Sequence, residues 1–250
     1  MRFLMQSYLF FYFCRMFPKQ AIKLLRTGTQ KELAGTKFTL EEHFTPSYNP
    51  WEQRMCISPD GDFFAALRSG KADVVTGHID TVTEKGIMLK NGQSIDDVDI
   101  IITATGLKVQ LCGNATLAVD GVPVSIGDKF VWRGAMLQDV PNLAFIFGYT
   151  NASWTLGSDA TVRLFVRVIK DMKSKGMTST VPIIPEGTKV QQTAALNLNS
   201  TYIKEAVKRK QFPKSGDVMP WKPRWNYFVD SWFASWGNIK QGLVFNRVST

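Results

Sequence analysis

Apolar positions dominate the start of the chain and then alternate with basic ones. The run Phe3–Phe17 is strongly apolar, but it is shorter than the roughly 20 residues that cross a bilayer. From residue 18 to residue 34, Lys and Arg alternate with aliphatic side chains, a pattern typical of an amphipathic helix with a basic face. We therefore predict a buried or interfacial helix that continues into a helix over Ala21–Leu33. A targeting peptide is the alternative, although no small-residue cleavage site follows Phe17.

The next stretch alternates between loop and strand signals. The segment His43–Trp51 is rich in proline and polar residues and is typical of an irregular loop. One or two helical turns are predicted over Gly61–Ser69. After them we predict a tight turn at residues 90–92 and three short strands, which are Ala72–Thr76, His78–Thr83 and Gly86–Leu89.

Two continuous apolar runs predict strands at the centre of a sheet. Asp99–Gly106 and Asn142–Phe147 lack the alternation of a half-buried strand, so we predict that the first is buried on both faces and that the second is also buried. Residues 113–134 between them indicate short strands and turns around Asp120-Gly121. Thr155–Met172 has the period of a long helix packed on a sheet, and a further helix is predicted over Ser200–Arg209. This pattern indicates an α/β fold.

The charge of the chain is concentrated at its ends. Thirty Lys and Arg against 21 Asp and Glu give a net charge of +9 and a pI of about 9.5. Residues 1–50 hold seven basic and three acidic side chains, residues 201–250 hold nine and three, and the middle is close to neutral. A nucleic-acid-binding domain with a basic face through its core is therefore not expected.

The residue types that often carry chemistry are sparse. Three separated cysteines and two histidines give no zinc-site spacing, and a low, odd cysteine count fits a reducing compartment such as the cytoplasm. No GxGxxG loop occurs, so a complete dinucleotide-binding unit is not recognisable in this chain. Asp60 and Asp62 flank a glycine and are more typical of turn and cap residues than of a catalytic carboxylate pair.

Two junctions where predicted strands end remain as candidate ligand sites. They are Thr103–Gly106 and Gly148–Thr155. Ligands of open α/β sheets bind at the carboxyl ends of strands, and a helix that begins near Thr155 would direct free backbone N–H groups at an anion or a carbonyl oxygen there.

Four segments together resemble one enzyme family. Asn49–Met55, Asp60–Phe63, Asp99–Leu107 and Gly148–Leu156 are similar, in the same order, to the C-terminal half of flavin-containing monooxygenases. The Baeyer–Villiger branch is nearest, and the ethionamide-activating monooxygenases are the most similar. The resemblance runs from about residue 40 to about residue 220.

The resemblance implies a partial two-dinucleotide-binding flavoprotein fold from which both glycine-rich loops are absent. The chain would contain the end of the NADPH domain and the returning C-terminal part of the FAD domain, as a fragment of a longer enzyme. On this basis we predict linker helices and a catalytic-arginine loop over residues 1–71, FAD-domain strands, a flavin-edge loop and a helix over 72–172, and a Trp-rich C-terminal extension over 173–250.

The resemblance also implies roles for individual residues. Arg54 falls on the family's catalytic arginine, which stabilises the anion formed when reduced flavin reacts with O₂ and the adduct that follows, and also holds the nicotinamide. Its acidic partner is absent, and Asp60 or Asp62 is a candidate substitute. The cofactor-binding residues would be Thr105 and Gly106 near the flavin, with the loop residues Asn151, Ser153 and Thr155 at its isoalloxazine edge. Trp154 would shape the substrate pocket.

The implied activity is that of an FAD- and NADPH-dependent monooxygenase. It would use a C4a-peroxyflavin to insert one oxygen of O₂ into a ketone or to oxidise a sulfur or nitrogen nucleophile, and this chain alone would be inactive. One alternative is a non-catalytic remnant that acts as an interaction module or associates with anionic membranes, for which the amphipathic basic residues 18–34 after an apolar start are the support. Another is a flavin-dependent N-hydroxylase, which shares the Ala-Thr-Gly strand end.

Overall fold

The computed structural model describes residues 2–56, 58–196 and 198–247, and the chain forms two compact units. The N-terminal unit is Tyr12–Gly106, and the C-terminal unit combines the residues through Phe11 with those from Leu107 onward. Both helices and strands are present, which confirms the α/β class. The three-part division predicted from the sequence, 1–71, 72–172 and 173–250, stays a prediction.

The two helices predicted at the start of the chain are present as α1 (Arg2–Met16) and α2 (Pro18–Glu32). Pro18 begins α2 favourably because the first turn of a helix needs no backbone N–H donor. Within the C-terminal unit, the Tyr8 hydroxyl of α1 accepts a 3.0 Å hydrogen bond from the Tyr227 amide, and the rings of Phe11 and Trp225 lie 5.6 Å apart. One side of α1 is therefore buried.

Two short helices and a three-stranded antiparallel sheet complete the N-terminal unit. The helices are α3 (Leu40–His43) and α4 (Asp62–Arg68), and the sheet is β1 (Ile79–Thr83), β2 (Gly86–Leu89) and β3 (Ser94–Asp96). The tight turn predicted at residues 90–92 is present, with Gly92 at φ 85° donating to the Leu89 carbonyl.

The strand predicted over Ala72–Thr76 is wrong. Side-chain contacts, and not backbone pairing with another strand, fix the position of this segment. Asp73 pairs with Lys37 at 2.5 Å and accepts a hydrogen bond from the Val74 amide. The Thr76 hydroxyl lies 2.9 Å from His43 Nδ1.

The two buried central strands predicted from the sequence are also wrong. Asp99–Gly106 has no regular secondary structure, and the side chains of Ile100 and Ile102 are 78% and 86% exposed. A strand buried on both faces needs partner strands and covering helices, and no strand in the described ranges pairs with this segment. Asn142–Phe147 forms only a single bridge, Ala144 to Met136, because Asn142 adopts φ 56° and its side chain bonds the backbone of Thr178 and Thr180.

Among the described residues of the C-terminal unit, the strands form four two-stranded antiparallel ribbons. The first, β4 (Leu117–Val119) with β5 (Val122–Val124), turns at Asp120-Gly121 as predicted. The others are β6 (Val131–Trp132) with β7 (Met136–Leu137), β8 (Ser179–Pro182) with β11 (Leu243–Asn246), and β9 (Gln192–Thr193) with β10 (Ser215–Gly216).

Besides the start of α1, the α-helices described in this unit are α5 (Trp154–Ser174), α6 (Thr201–Lys208) and α7 (Tyr227–Trp236). The long helix predicted over Thr155–Met172 is therefore confirmed, but the sheet predicted beneath it is not. In the described part of the chain α5 packs on α7, and Leu164 and Val168 share a core with Phe233 and Trp132. None of the described helices is both long and apolar enough to span a bilayer.

Candidate functional site

The loop Gly148–Thr155 folds tightly between residue 147 and helix α5 because two glycines allow close contacts. A Cβ on Gly148 would overlap the Trp154 indole, and a Cβ on Gly157 would overlap the carbonyl oxygen of Phe147. Any larger residue at either position would push the loop away from the first turn of α5. The two glycines therefore fix where the exposed end of this loop lies.

Residues 224–230 hold this loop from the other side. Arg224 Nη1 donates to the carbonyl oxygens of Phe147 at 3.2 Å and Gly157 at 2.9 Å. Asn151 Nδ2 donates to the Trp225 carbonyl at 3.0 Å. Arg224, in the segment that precedes α7, thus bonds one carbonyl group on each side of the loop and fixes both of the loop's ends.

A partly buried polar pair completes the anchor. The Tyr149 hydroxyl donates a 2.6 Å hydrogen bond to Asp230 Oδ2. Burial raises the pKa of Asp230, although the Tyr149 hydroxyl and the Arg224 and Arg133 charges oppose it. Burial and then the Asp230 charge raise the pKa of Tyr149, so the phenol stays protonated and donates. Burial lowers the pKa of Arg224, and the Asp230 charge partly restores it.

The four residues predicted from this loop fall into two environments. Asn151 is 2% exposed, and its amide is used within the fold. Ser153, Trp154 and Thr155 lie together in the open at the start of α5: Trp154 is 51% exposed, and the Ser153 and Thr155 hydroxyls lie 2.8 Å apart. An apolar cavity of about 60 Å³ behind the loop is lined by Gly148, Thr150 and Arg224, but not by Trp154.

The N-terminus of α5 fits an oxygen-rich edge of a cofactor. Ser153 caps the helix without a side-chain hydrogen bond to the backbone, and the Leu156 amide donates to the Ser153 carbonyl at 3.3 Å. The other first-turn N–H groups of this 21-residue helix can donate to another acceptor. The positive end of the helix dipole favours a carbonyl oxygen or an anion at the same place. The exposed hydroxyls of Ser153 and Thr155 and the exposed Trp154 indole lie at the same place.

Arg54 lies in the N-terminal unit, in the loop that follows α3. It is exposed and lines a cleft of about 490 Å³ between that loop and α2. The side chains that line the cleft are mostly apolar or hydroxyl-bearing: Ile22, Leu25, Thr29, Phe44, Thr45, Pro46, Tyr48, Pro50, Met55 and Cys56, with Arg26 beside them. The volume is in the range of small-molecule sites.

Short-range hydrogen bonds shape the loop that carries Arg54. The backbone N and the Nδ2 of Asn49 donate to the Glu52 carboxylate at 3.1 and 2.9 Å, and these bonds lower the pKa of Glu52. Across the cleft, Arg26 donates to Glu41 at 2.6 Å and to Thr45 at 3.0 Å. Arg26 was not identified from the sequence, where it is one of many basic residues of α2.

The other predicted residues of the N-terminal unit lie in open segments. Thr105 and Gly106 belong to the exposed stretch after β3, and a Cβ on Gly106 would meet no atom within 4 Å, although its φ of 105° favours glycine. Asp60 adopts φ 54° in a turn, and Asp62 is in the first turn of α4. Thr105, Gly106 and Arg54 lie in one compact unit, and Asn151–Thr155 lie in the other.

The sequence motifs did not reveal Arg224 or Asp230. Both act on the loop from about 70 to 80 residues away in the chain, and no local spacing marks them. Only Tyr149 gave a signal, because it lies inside the Gly148–Leu156 motif.

Comparison with known proteins identifies several relatives. The chain is 43% identical over 216 residues to the FAD-containing monooxygenase EthA of Mycolicibacterium smegmatis. The aligned stretch covers 86% of this chain and 43% of that protein. It is 41% identical over 213 residues to the probable FAD-binding monooxygenase AlmA of Acinetobacter baylyi, and the aligned stretch covers 85% of this chain and 42% of AlmA. It is 39% identical over 231 residues to the putative FAD-containing monooxygenase MymA of Mycobacterium tuberculosis H37Rv (92% and 46%).

No family profile and no solved structure matches the chain. The chain spans about half the length of the curated relatives that it matches. The similarity nevertheless extends over most of its own length and confirms the resemblance found in its motifs. Over 85–92% of its own length, the chain is therefore similar to part of the proteins named as FAD-containing or FAD-binding monooxygenases.

Proposed function

We propose that the chain supplies the catalytic arginine and the flavin-edge loop of an FAD- and NADPH-dependent monooxygenase. The reaction inserts one oxygen atom of O₂ into a ketone, as in Baeyer–Villiger oxidation, or oxidises a sulfur or nitrogen nucleophile. The observation that carries the proposal is the position of Arg54 on the cleft beside α2, in a loop that matches the family motif.

Arg54 has the chemistry that this reaction needs. A guanidinium stays charged throughout the working pH range and can donate two parallel hydrogen bonds. Beside a mostly apolar cleft, that charge stabilises negative charge that develops on the substrate oxygen more strongly than it would in water. The apolar walls formed by Ile22, Leu25 and Phe44 hold the body of the ketone or sulfide and exclude water.

In the C-terminal unit, Ser153, Thr155 and the first-turn N–H groups of α5 would hold the ring edge of FAD, and Trp154 would shape the substrate pocket. Thr105 and Gly106 are the proposed cofactor-binding residues of the N-terminal unit. When bound and reduced by NADPH, the flavin supplies the activated oxygen. Asn151 serves the same edge indirectly, because its buried amide fixes the loop to the Trp225 carbonyl.

We further propose that the chain is a partial two-dinucleotide-binding fold, a fragment that does not retain FAD alone, because no GxGxxG loop is present to bind the pyrophosphate. We place the activity in the cytoplasm. Purifying the 250-residue chain with added FAD and recording its absorption spectrum tests whether the chain retains FAD. A stoichiometric flavin spectrum would contradict it.

The role of Arg54 is tested in a chimaera in which this chain replaces the matching half of the M. smegmatis relative. Arg54→Ala should abolish oxygenated product while NADPH still reduces the flavin. Arg68→Ala is the matched control, since Arg68 is an exposed arginine of the same unit that pairs with Glu32, and it should retain both reactions. Normal product formation by Arg54→Ala would exclude the role assigned here.

A second candidate function is peripheral binding to anionic membranes by a non-catalytic remnant. The observation that favours it is the surface of α2, on which Lys19, Lys23 and Lys31 are exposed beside the exposed Leu24. Such a helix binds anionic lipid through both charge and apolar contact. Flotation with anionic vesicles, salt-sensitive and independent of flavin, would support this function over the first.

A further inference from the structure

Helix α2 contributes a second arginine to the cleft that contains Arg54. The residues of α2 that line this cleft recur at the spacing of neighbours on one helix face. They are Ile22, Leu25, Arg26 and Thr29. Lys23 belongs to the same helix and is exposed, but it does not line the cleft. Arg26 therefore places a cation of α2 on the wall of the cleft, beside apolar side chains.

Two hydrogen bonds orient the Arg26 guanidinium. Nη1 donates to the Thr45 hydroxyl at 3.0 Å, and that hydroxyl donates to the Leu40 carbonyl oxygen at 2.8 Å. Nη2 donates to Glu41 Oε1 at 2.6 Å. A guanidinium carries several N–H donors in a planar fork, so these bonds leave donors for a further acceptor. The Arg26 side chain is 36% exposed, which lets a ligand reach it.

The residues that line the cleft carry an excess of positive charge. Arg26 and Arg54 are both cations, and none of the described residues that line the cleft is a carboxylate. The Glu41 carboxylate that pairs with Arg26 does not line the cleft and is 76% exposed. An exposed ion pair of this kind is weak. A carboxylate on a ligand can therefore replace Glu41 at Arg26 or share the guanidinium with it.

We propose that the cleft takes ketones or thioethers that carry a carboxylate, and that Arg26 pairs with this carboxylate. The apolar body of such a substrate lies against Ile22, Leu25 and Phe44, and Arg54 remains for the oxygen at which the reaction occurs. Arg26 then determines the class of substrate and has no catalytic role. The substrate assignment rests on the proposed function, but the binding of an apolar carboxylate in the cleft does not.

The chemistry of the cleft favours a ligand with both an anionic and an apolar part. Arginine binds a carboxylate through two parallel N–H···O bonds, which fixes the orientation of the ligand as well as its charge. The apolar walls add contact with the body of the ligand. Inorganic phosphate offers the charge without the body, and an uncharged ketone offers the body without the charge.

The test measures the binding of β-benzoylpropionate, an aryl ketone with a carboxylate, and of its uncharged methyl ester. Isothermal titration of the full chain, without flavin or NADPH, gives both dissociation constants. The wild-type chain should bind the acid about tenfold more tightly than the ester, as expected for charge-assisted hydrogen bonds. Inorganic phosphate should not displace the acid at equal concentration.

Three substitutions separate Arg26 from the general basicity of α2. Arg26→Gln should abolish the preference for the acid and leave the affinity for the ester unchanged. Glu41→Gln should raise the affinity for the acid by about two- to fourfold, because it removes the competing carboxylate. Lys23→Gln is the matched control, since it removes one charge from the same helix outside the cleft, and it should leave both affinities unchanged.

Absent or equal binding of the two compounds would overturn the inference, and so would displacement of the acid by inorganic phosphate. Loss of ester binding in Arg26→Gln would also overturn it, because Arg26 would then only shape the cleft. A preference for the acid without its oxygenation in the chimaera would contradict the proposed function but not this binding mode. Oxygenation of the ester without any preference for the acid would contradict the substrate class alone.

Discussion

The hydroxyl of Tyr149 donates a 2.6 Å hydrogen bond to the carboxyl group of Asp230, which lies 81 residues further along the chain. The bond joins the loop between residue 147 and α5 to helix α7. Together with the Asn151 hydrogen bond and the two hydrogen bonds of Arg224, it fixes the position of the loop. The exposed flavin-edge candidates Ser153–Thr155 therefore depend on a part of the chain that contributes no group to the proposed chemistry.

Tyr149→Phe should lower the free energy of unfolding by about 1.5–3 kcal/mol, because the half-buried carboxyl group of Asp230 loses a hydrogen-bond donor. Chemical denaturation monitored by tryptophan fluorescence measures the change. Tyr202→Phe in α6 is the control, since the Tyr202 hydroxyl has no hydrogen-bond partner within the described residues, and it should change stability little. Equal effects of the two substitutions would contradict the importance of the Asp230 bond.

Asp230 should make stability fall with rising pH. Its pKa is raised above the ordinary value of 3.8 by burial, so just above that value the folded state binds more protons than the unfolded state. The free energy of unfolding then falls as pH rises, by at most about 1.4 kcal/mol per pH unit. Denaturation of the wild-type chain and of Asp230→Asn at several pH values between 4 and 7 measures the free energy of unfolding of each. As pH rises, the variant should become more stable relative to the wild-type chain. If the difference in stability between the two proteins does not change with pH, the pKa of Asp230 is not raised.

Arg224→Met should destabilise the chain by about 3 kcal/mol or more, because the carbonyl oxygens of Phe147 and Gly157 each lose a charged donor. The methionine keeps the approximate length of the side chain, so lost hydrogen bonds dominate the effect. The control is Arg163→Met on the exposed face of α5, where the lost pair with Asp159 is worth about 0.5 kcal/mol. Thermal unfolding distinguishes the two variants, and a small effect of Arg224→Met would exclude the anchoring role.

Two helical glycines should respond to alanine in opposite directions. In α2, Gly28 has no atom within 4 Å of an added Cβ, so Gly28→Ala should stabilise the chain by about 0.5–1 kcal/mol through lower backbone entropy. In α5, Gly157→Ala forces the new methyl group into the Phe147 carbonyl and should destabilise by about 1–3 kcal/mol. Melting temperatures of both variants check this, and a stabilising Gly157→Ala would refute the tight loop.

Sequence reasoning succeeded where structure depends on neighbours in the chain. The alternation of residues 18–34 predicted α2, the apolar period after Thr155 predicted α5, and Asp120-Gly121 predicted its hairpin turn. It also found the family, through short motifs around Arg54 and Gly148.

It failed where structure depends on distant partners. The run Ile100–Ile102 has the composition of a central strand, but strand formation requires neighbours that the described part of the chain does not supply. The contacts of Arg224 with Phe147 and Gly157 span 77 and 67 residues, so no window along the sequence contains both ends.

The three thiols offer separate routes for labelling the molecule. Cys14 is fully buried in α1, and burial raises the pKa of its thiol, so an alkylating reagent reaches it only when the helix opens. Cys56 and Cys112 are exposed, and Cys56 lines the cleft that contains Arg54. With Cys112 replaced by serine, one maleimide-linked fluorophore or spin label can be placed beside Arg54 under native conditions. Binding of a small molecule in the cleft would then change the spectrum of the label, without flavin, NADPH or turnover.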